Sequence, residues 1–150
     1  MNIIDQLRHG LTTASPEESR AVAEAFARAL PPDTTLALHG NLGVGKTTFV
    51  QGLARGFGIQ ETVTSPTFTI YNVHRGPERT LIHLDAYRLE NARQIEDLLL
   101  EDFLVTPWCL AVEWPEKIAG ALAPDTLHLE LGIAGEARHT IRLRTSTDAT

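Results

Sequence analysis

The segment GNLGVGKT at positions 40–47 sets Gly40, Gly45, Lys46 and Thr47 in the spacing G-x-x-x-x-G-K-[ST]. That spacing suits the capture of a phosphate chain. Glycines let successive backbone N–H groups turn toward one anion without a Cβ in the way. A helix starting there adds the positive end of its dipole. Lys46 would reach the β- and γ-phosphates, and the Thr47 hydroxyl would ligate Mg²⁺. The expected ligands are therefore ATP or ADP with Mg²⁺, held by Gly43, Val44, Gly45, Lys46, Thr47 and Thr48. With glycine near 7 % of residues, chance would produce the pattern in roughly one chain in 200 of this length. The motif alone does not separate a hydrolase from a kinase or a switch.

Phosphoryl transfer also needs a second acid near the metal and a group that orients the attacking water. Asp85 closes LIHLD and Glu113 closes CLAVE, each after four largely apolar residues, as in a Walker B strand. Either acid could instead cap the turn that follows it. In SPTF (65–68), Ser65 and Thr67 flank the stiff Pro66. Their hydroxyls could meet the γ-phosphate and Mg²⁺ as a switch loop does, or sit in an ordinary turn. Trp114 follows Glu113 and could wall the site, meet a partner or pack in the core. His39 and His83 lie inside strand-like runs and read as core histidines rather than ligands. Cys109, the single cysteine, reads as a packed thiol, and no Cys/His spacing suggests zinc.

These groups need elements to carry them. Residues 8–14 are expected to hold a short strand. SPEESRAVAEAFARAL then reads as a helix, with Ser15 as N-cap, Pro16 in the first turn and Glu18 completing a capping box. TTLALHG (34–40) is a buried strand running into the glycine loop, and Thr47 to Phe57 is the helix after it, stopped by Gly58. Gly52 inside that helix costs about 1 kcal/mol against alanine, which close packing would explain. TFTIYNV (67–73) and RTLIHLD (79–85) form a hairpin across residues 74–78. Asn91 to Phe103 has helical character. CLAVE (109–113) is a buried strand, and LHLEL (127–131) with HTIRLR (139–144) forms an antiparallel hairpin with one wet face. The fold class is α/β: a P-loop NTPase-like three-layer sandwich with a mixed sheet, parallel in its core and antiparallel at its edges. Residues 1–150 read as one domain, with 145–150 expected to fray.

The net charge is −6, with two lysines and eleven arginines and no basic run. That balance is poorly suited to holding a nucleic acid by its phosphates alone, although folding could gather Arg75, Arg79 and Arg88 into a local patch. No apolar run approaches the ~20 residues of a membrane span. The N-terminus lacks a secretory pattern, and a cytoplasmic location is expected.

In order, SPEES, GNLGVGKTTF, SPTF, HLDAYRL and VEWPE resemble the TsaE (YjeE) family of bacterial P-loop ATPases, from about Thr13 to Leu143. The resemblance implies an ATPase that assists the TsaB–TsaD pair in placing threonylcarbamoyl on the adenosine next to the tRNA anticodon, with tRNA reached only through the partners. It puts Gly43 to Thr48 on the phosphates, Thr47 and Glu113 on Mg²⁺, and Asp85 in metal or water placement. Lys46, Asp85 and Glu113 are then the catalytic set, and Ser15 lies near the nucleotide. Asn41 stands where the family usually has Asp, which removes a charge but keeps the size. Arg88 is the one arginine close in sequence to a candidate catalytic acid, so a partner could supply the last cation. A small-molecule kinase and a non-catalytic nucleotide sensor are the rival readings.

Overall fold

The structure, a computed structural model, describes residues 2–41, 43–64, 66, 70–90, 93–94 and 100–145. A seven-stranded sheet runs through it. In chain order the strands are β1 (Leu11–Thr13), β2 (Thr34–His39), β3 (Tyr71–Arg75), β4 (Thr80–Asp85), β5 (Trp108–Glu113), β6 (Leu127–Gly135) and β7 (Arg138–Leu143). Their order across the sheet is β1-β7-β6-β2-β5-β4-β3. The inner strands β6, β2, β5 and β4 are mutually parallel. The pairs β1–β7, β6–β7 and β3–β4 are antiparallel. This is the mixed sheet the sequence implied, with its hairpins at the edges.

Alternation along the strands divides the core in two. Leu36, Leu38, Leu81, Cys109, Ala111, Leu129 and Ile141 face three helices: α1 (Ile3–His9), α2 (Pro16–Ala29) and α3 (Lys46–Gly56). Ile82, Leu84, Leu110 and Val112 face the other way, against Leu100 and Ile118 from the 3-10 segments Leu100–Phe103 and Pro115–Ala121. Each fully buried leucine stabilises the fold by about 1.5–3 kcal/mol relative to an exposed one. Burial pushes the Cys109 thiol up to about 12, which fits a packed rather than a reactive cysteine. No helix of the described residues is long and apolar enough to cross a membrane.

Local signals explain the helices that aim the site. Ser15 Oγ accepts from the Glu18 N–H at 3.1 Å, and the Glu18 carboxylate accepts from the Ala14 N–H at 3.1 Å. The capping box thus closes one residue earlier than the expected return to Ser15 itself. At Gly52 a Cβ would come 2.4 Å from the Arg20 carbonyl oxygen and 2.6 Å from Ala23 Cβ, so close packing of α3 on α2 accounts for that glycine. Helix α3 ends where Gly58, at φ 76°, donates to Arg55 O and the Ile59 N–H reaches back to Ala54 O.

Two expectations need adjusting. Helix α1, capped by Asn2 Oδ1 on the Asp5 N–H at 2.9 Å, takes residues through His9, so the first strand is only 11–13. The helix foreseen from Asn91 to Phe103 lies largely outside the described residues; its last turn is 3-10. Residues 67–69 of the expected third strand are also outside them, and the strand observed is Tyr71–Arg75.

Candidate nucleotide-binding site

Strand β2 ends at His39, and the glycine loop turns the chain from it into α3. Gly40 sits so close to the neighbouring strand that a Cβ would meet Leu131 O at 2.6 Å and Val44 Cγ2 at 2.6 Å. Gly45 is the N-cap of α3 in the left-handed region, φ 94° and ψ 25°, and no side chain caps the helix. The first N–H groups of α3 are therefore left for an incoming anion, with the helix dipole behind them. A Cβ at Gly43 would meet nothing within 4 Å, so the top of the loop is open. Val44 is buried and anchors the loop in the core, while Thr47 and Thr48 are half-buried at the start of α3.

Lys46 is buried, and its Nζ donates to the Gly40 carbonyl at 2.8 Å. The same ammonium lies 3.8 Å from the centroid of the Trp114 ring. Burial lowers its pKa, while Glu113, Glu116 and Asp85 oppose that shift. Those three carboxylates are thus the charges the lysine feels. Asp85 and Glu113 are direct neighbours in the β4–β5 register and share the α3 face. Glu113 is buried and takes a short hydrogen bond on Oε2 from His83 Nε2. Asp85 is half-buried, and its Oδ1 accepts from the Tyr87 N–H at 3.0 Å. The turn-capping role left open for Asp85 is real, and it occupies one carboxylate oxygen.

Trp114 is a non-glycine residue at φ 57°, ψ 50°, between the end of β5 and Pro115. Such a conformation costs about 1–3 kcal/mol and persists where its surroundings hold it. Here the indole packs against the half of the core on the side of the sheet away from α3, meets Tyr87 at 5.1 Å between centroids and lies under Lys46.

A family profile described as threonylcarbamoyl adenosine biosynthesis protein TsaE matches residues 13–141. The chain belongs to the TsaE family. The Bacillus subtilis tRNA threonylcarbamoyladenosine biosynthesis protein TsaE is 38 % identical over 129 residues, covering 86 % of this chain and 80 % of that protein. Its Treponema pallidum namesake is 34 % identical over 127 residues, covering 85 % and 93 %. The crystal structure of Bacillus subtilis YdiB superposes with a TM-score of 0.74 at 33 % identity, over 93 % of this chain and 86 % of that one.

In this TsaE family member the loop from Gly43 to Thr48, Lys46, Asp85, Glu113 and Trp114 converge on one end of the parallel strands. Ser15 belongs to a neighbouring rim. Thr13 pairs with His139, whose ring would lie 3.8 Å from a Cβ on Gly45. Arg88 is exposed beyond Tyr87. Ser65 and Thr67 lie outside the described residues. His83 was read as a core histidine; it is fully buried, but it also touches a candidate catalytic acid. The signal was present in LIHLD, since alternation puts His83 on the face of Asp85. His139 carries no motif and was not legible; Glu116 closes VEWPE, but nothing in that segment pointed to its field on Lys46.

The donor set fits Mg²⁺ bound together with a nucleotide. Among the described residues no group of three or more His, Cys, Asp or Glu could hold a metal by itself. Mg²⁺ ordinarily takes one or two carboxylates and completes its shell with substrate phosphates and water. A hydroxyl at Thr47 and a carboxylate at Glu113, beside an open glycine loop, are of that kind.

Proposed function

We propose that this chain is a Mg²⁺-dependent ATPase that assists the TsaB–TsaD complex in threonylcarbamoyl modification of tRNA. The observation that carries the reading is the uncapped start of α3, whose first residue is the buried Lys46, beside two strand-end acids. The names of the relatives support the pathway.

The N–H groups at the head of α3 bind the β-phosphate, and Lys46 leaves the Gly40 carbonyl to bridge the β- and γ-phosphates. Thr47 and Glu113 would hold Mg²⁺, which supplies positive charge to the phosphate oxygens. The free oxygen of Asp85 assists in placing the metal or the attacking water. That water bonds to the γ-phosphorus as the bond to the β,γ-bridging oxygen breaks, giving ADP and phosphate. Trp114 walls the site against solvent. Arg88 lies outside this cluster, so a cation from a partner completes the charge around the γ-phosphate. With a net charge of −6, the chain leaves tRNA recruitment to those partners.

Phosphate release from ATP is the test, measured alone and titrated with purified TsaB–TsaD, with Lys46→Ala as background. We expect slow turnover alone and a rise with the pair. A labelled small molecule in place of phosphate would make the chain a kinase, and binding without turnover under any condition would make it a sensor.

A further inference from the structure

We propose that His83 is a positioning residue for Glu113, fixing that carboxylate so that its second oxygen is set for the metal; the proposal rests on the Mg²⁺–nucleotide reading of the site. Glu113 sits at the buried end of β5, between Leu38 of β2 and Asp85 of β4 in register. A carboxylate withdrawn from water needs a hydrogen-bond partner. Lys46, the nearest cation along the loop, donates to Gly40 O instead. Among the described residues the bond to the Glu113 side chain comes from His83 Nε2–H to Oε2.

The geometry of β4 makes this contact stiff. His83 is 0 % exposed, and it pairs with Ala111, two residues before Glu113 on the adjacent strand. The imidazole therefore reaches forward along the sheet to the acid. Donating from Nε2 fixes the tautomer and leaves Nδ1 bare, and Nδ1 is buried with no hydrogen-bond partner among the described residues. A histidine retained only to fill the core would be replaced at no polar cost by leucine. This one instead tolerates an unpartnered nitrogen while its other nitrogen holds an acid. Outer partners of this sort orient metal ligands, and their loss weakens metal binding by roughly 10–100-fold.

The test is Mg²⁺ titrated calorimetrically into the full chain with a non-hydrolysable ATP analogue, alongside binding of the same analogue in EDTA. His83→Leu keeps the apolar volume and removes the donor. It is expected to raise the Mg²⁺ concentration needed by about tenfold or more and to leave metal-free analogue binding unchanged. His83→Gln returns a donor near the Nε2 position and is expected to recover most of the loss, whereas His83→Asn, polar but too short, is not. Equal Mg²⁺ affinity in the parent and a folded His83→Leu overturns the proposal. Should His83→Leu not fold by circular dichroism, equal affinity in the Gln and Asn variants overturns it. A parent that binds the analogue without any effect of Mg²⁺ overturns the functional reading itself, and the role of His83 with it.

Discussion

The two faces of the sheet both carry polar groups near the ends of the parallel strands, but they use them differently. On the face away from the helices, His39 Nε2 and His128 Nδ1 share a hydrogen bond of 2.8 Å, and Glu130 is bridged by Arg142 and Arg144. Charge and donors there are spent within the patch. On the α3 face the balance is left open: a helix start without a side-chain cap, a lysine on a carbonyl and a ring, and two neighbouring acids. Polar residues that satisfy one another stabilise a fold, while those left short of partners mark where a ligand would complete them.

The largest effect should come from the group that most separates the faces. Lys46→Ala is expected to lower ATP turnover at least about 100-fold, or ~2.7 kcal/mol in the barrier, with the circular dichroism spectrum kept. Unchanged turnover with unchanged nucleotide affinity would place the chemistry elsewhere. Next come the acids. Glu113→Gln and Asp85→Asn should each cut hydrolysis at least about tenfold, ~1.4 kcal/mol. Glu113→Gln should also raise the Mg²⁺ requirement, measured with nucleotide bound. A Glu113→Gln protein that binds Mg²⁺ and turns over like the parent removes that acid from the site.

How legible each face was follows from how far its partners lie apart in sequence. The glycine loop is a contiguous motif, and its strand and helix were bounded to within one residue, Thr34–His39 and Lys46–Gly56. Asp85 and Glu113 were legible as strand-end acids, but not as register neighbours, because the β4–β5 pairing is a long-range choice. The His83–Glu113 bond spans thirty residues and the His39–His128 bond eighty-nine. No local pattern announces either. Helix α1 was missed because Ile3, Ile4 and Leu7 offer less than two turns of periodicity. The strained backbone of Trp114 has no sequence signature at all, since tertiary packing imposes it.

The closed face offers a pH test. Burial, then Arg144 and His128, lower the pKa of His39 to about 4, and burial followed by Arg144 lowers that of His128. An unfolded histidine takes up its proton near 6.5, while folded His39 resists until about 4. The neutral pair therefore contributes stability above pH 6.5 that is lost as pH falls toward 4. For a partly exposed pair, water screening leaves this on the order of 1 kcal/mol. Urea unfolding at pH 7, 5.5 and 4.5 should show a smaller drop in His39→Gln than in the parent, with ATP turnover at pH 7 little changed. Parallel curves for the two proteins would mean the pair does not govern acid sensitivity.

The smallest effect belongs to the residue that touches both faces. Trp114 packs on the core half away from α3 and also lies under the Lys46 ammonium. Without nucleotide, Lys46 is held by the Gly40 carbonyl and by the ring, and both contacts must be exchanged for phosphate oxygens. A partly exposed cation–π contact is worth about 0.5–1 kcal/mol. Its loss in Trp114→Ala leaves the carbonyl alone to hold the lysine, so ATP affinity should rise roughly two- to fivefold. Trp114→Phe, with a weaker ring field, should fall between. Urea unfolding should show Trp114→Ala destabilised, because the same indole leaves the core cluster. Calorimetry with Mg²⁺ and a non-hydrolysable ATP analogue reads the affinity at a temperature where both variants are folded. If affinity falls in both, the indole contacts nucleotide more strongly than it restrains Lys46. The aromatic wall would then belong wholly to the open face.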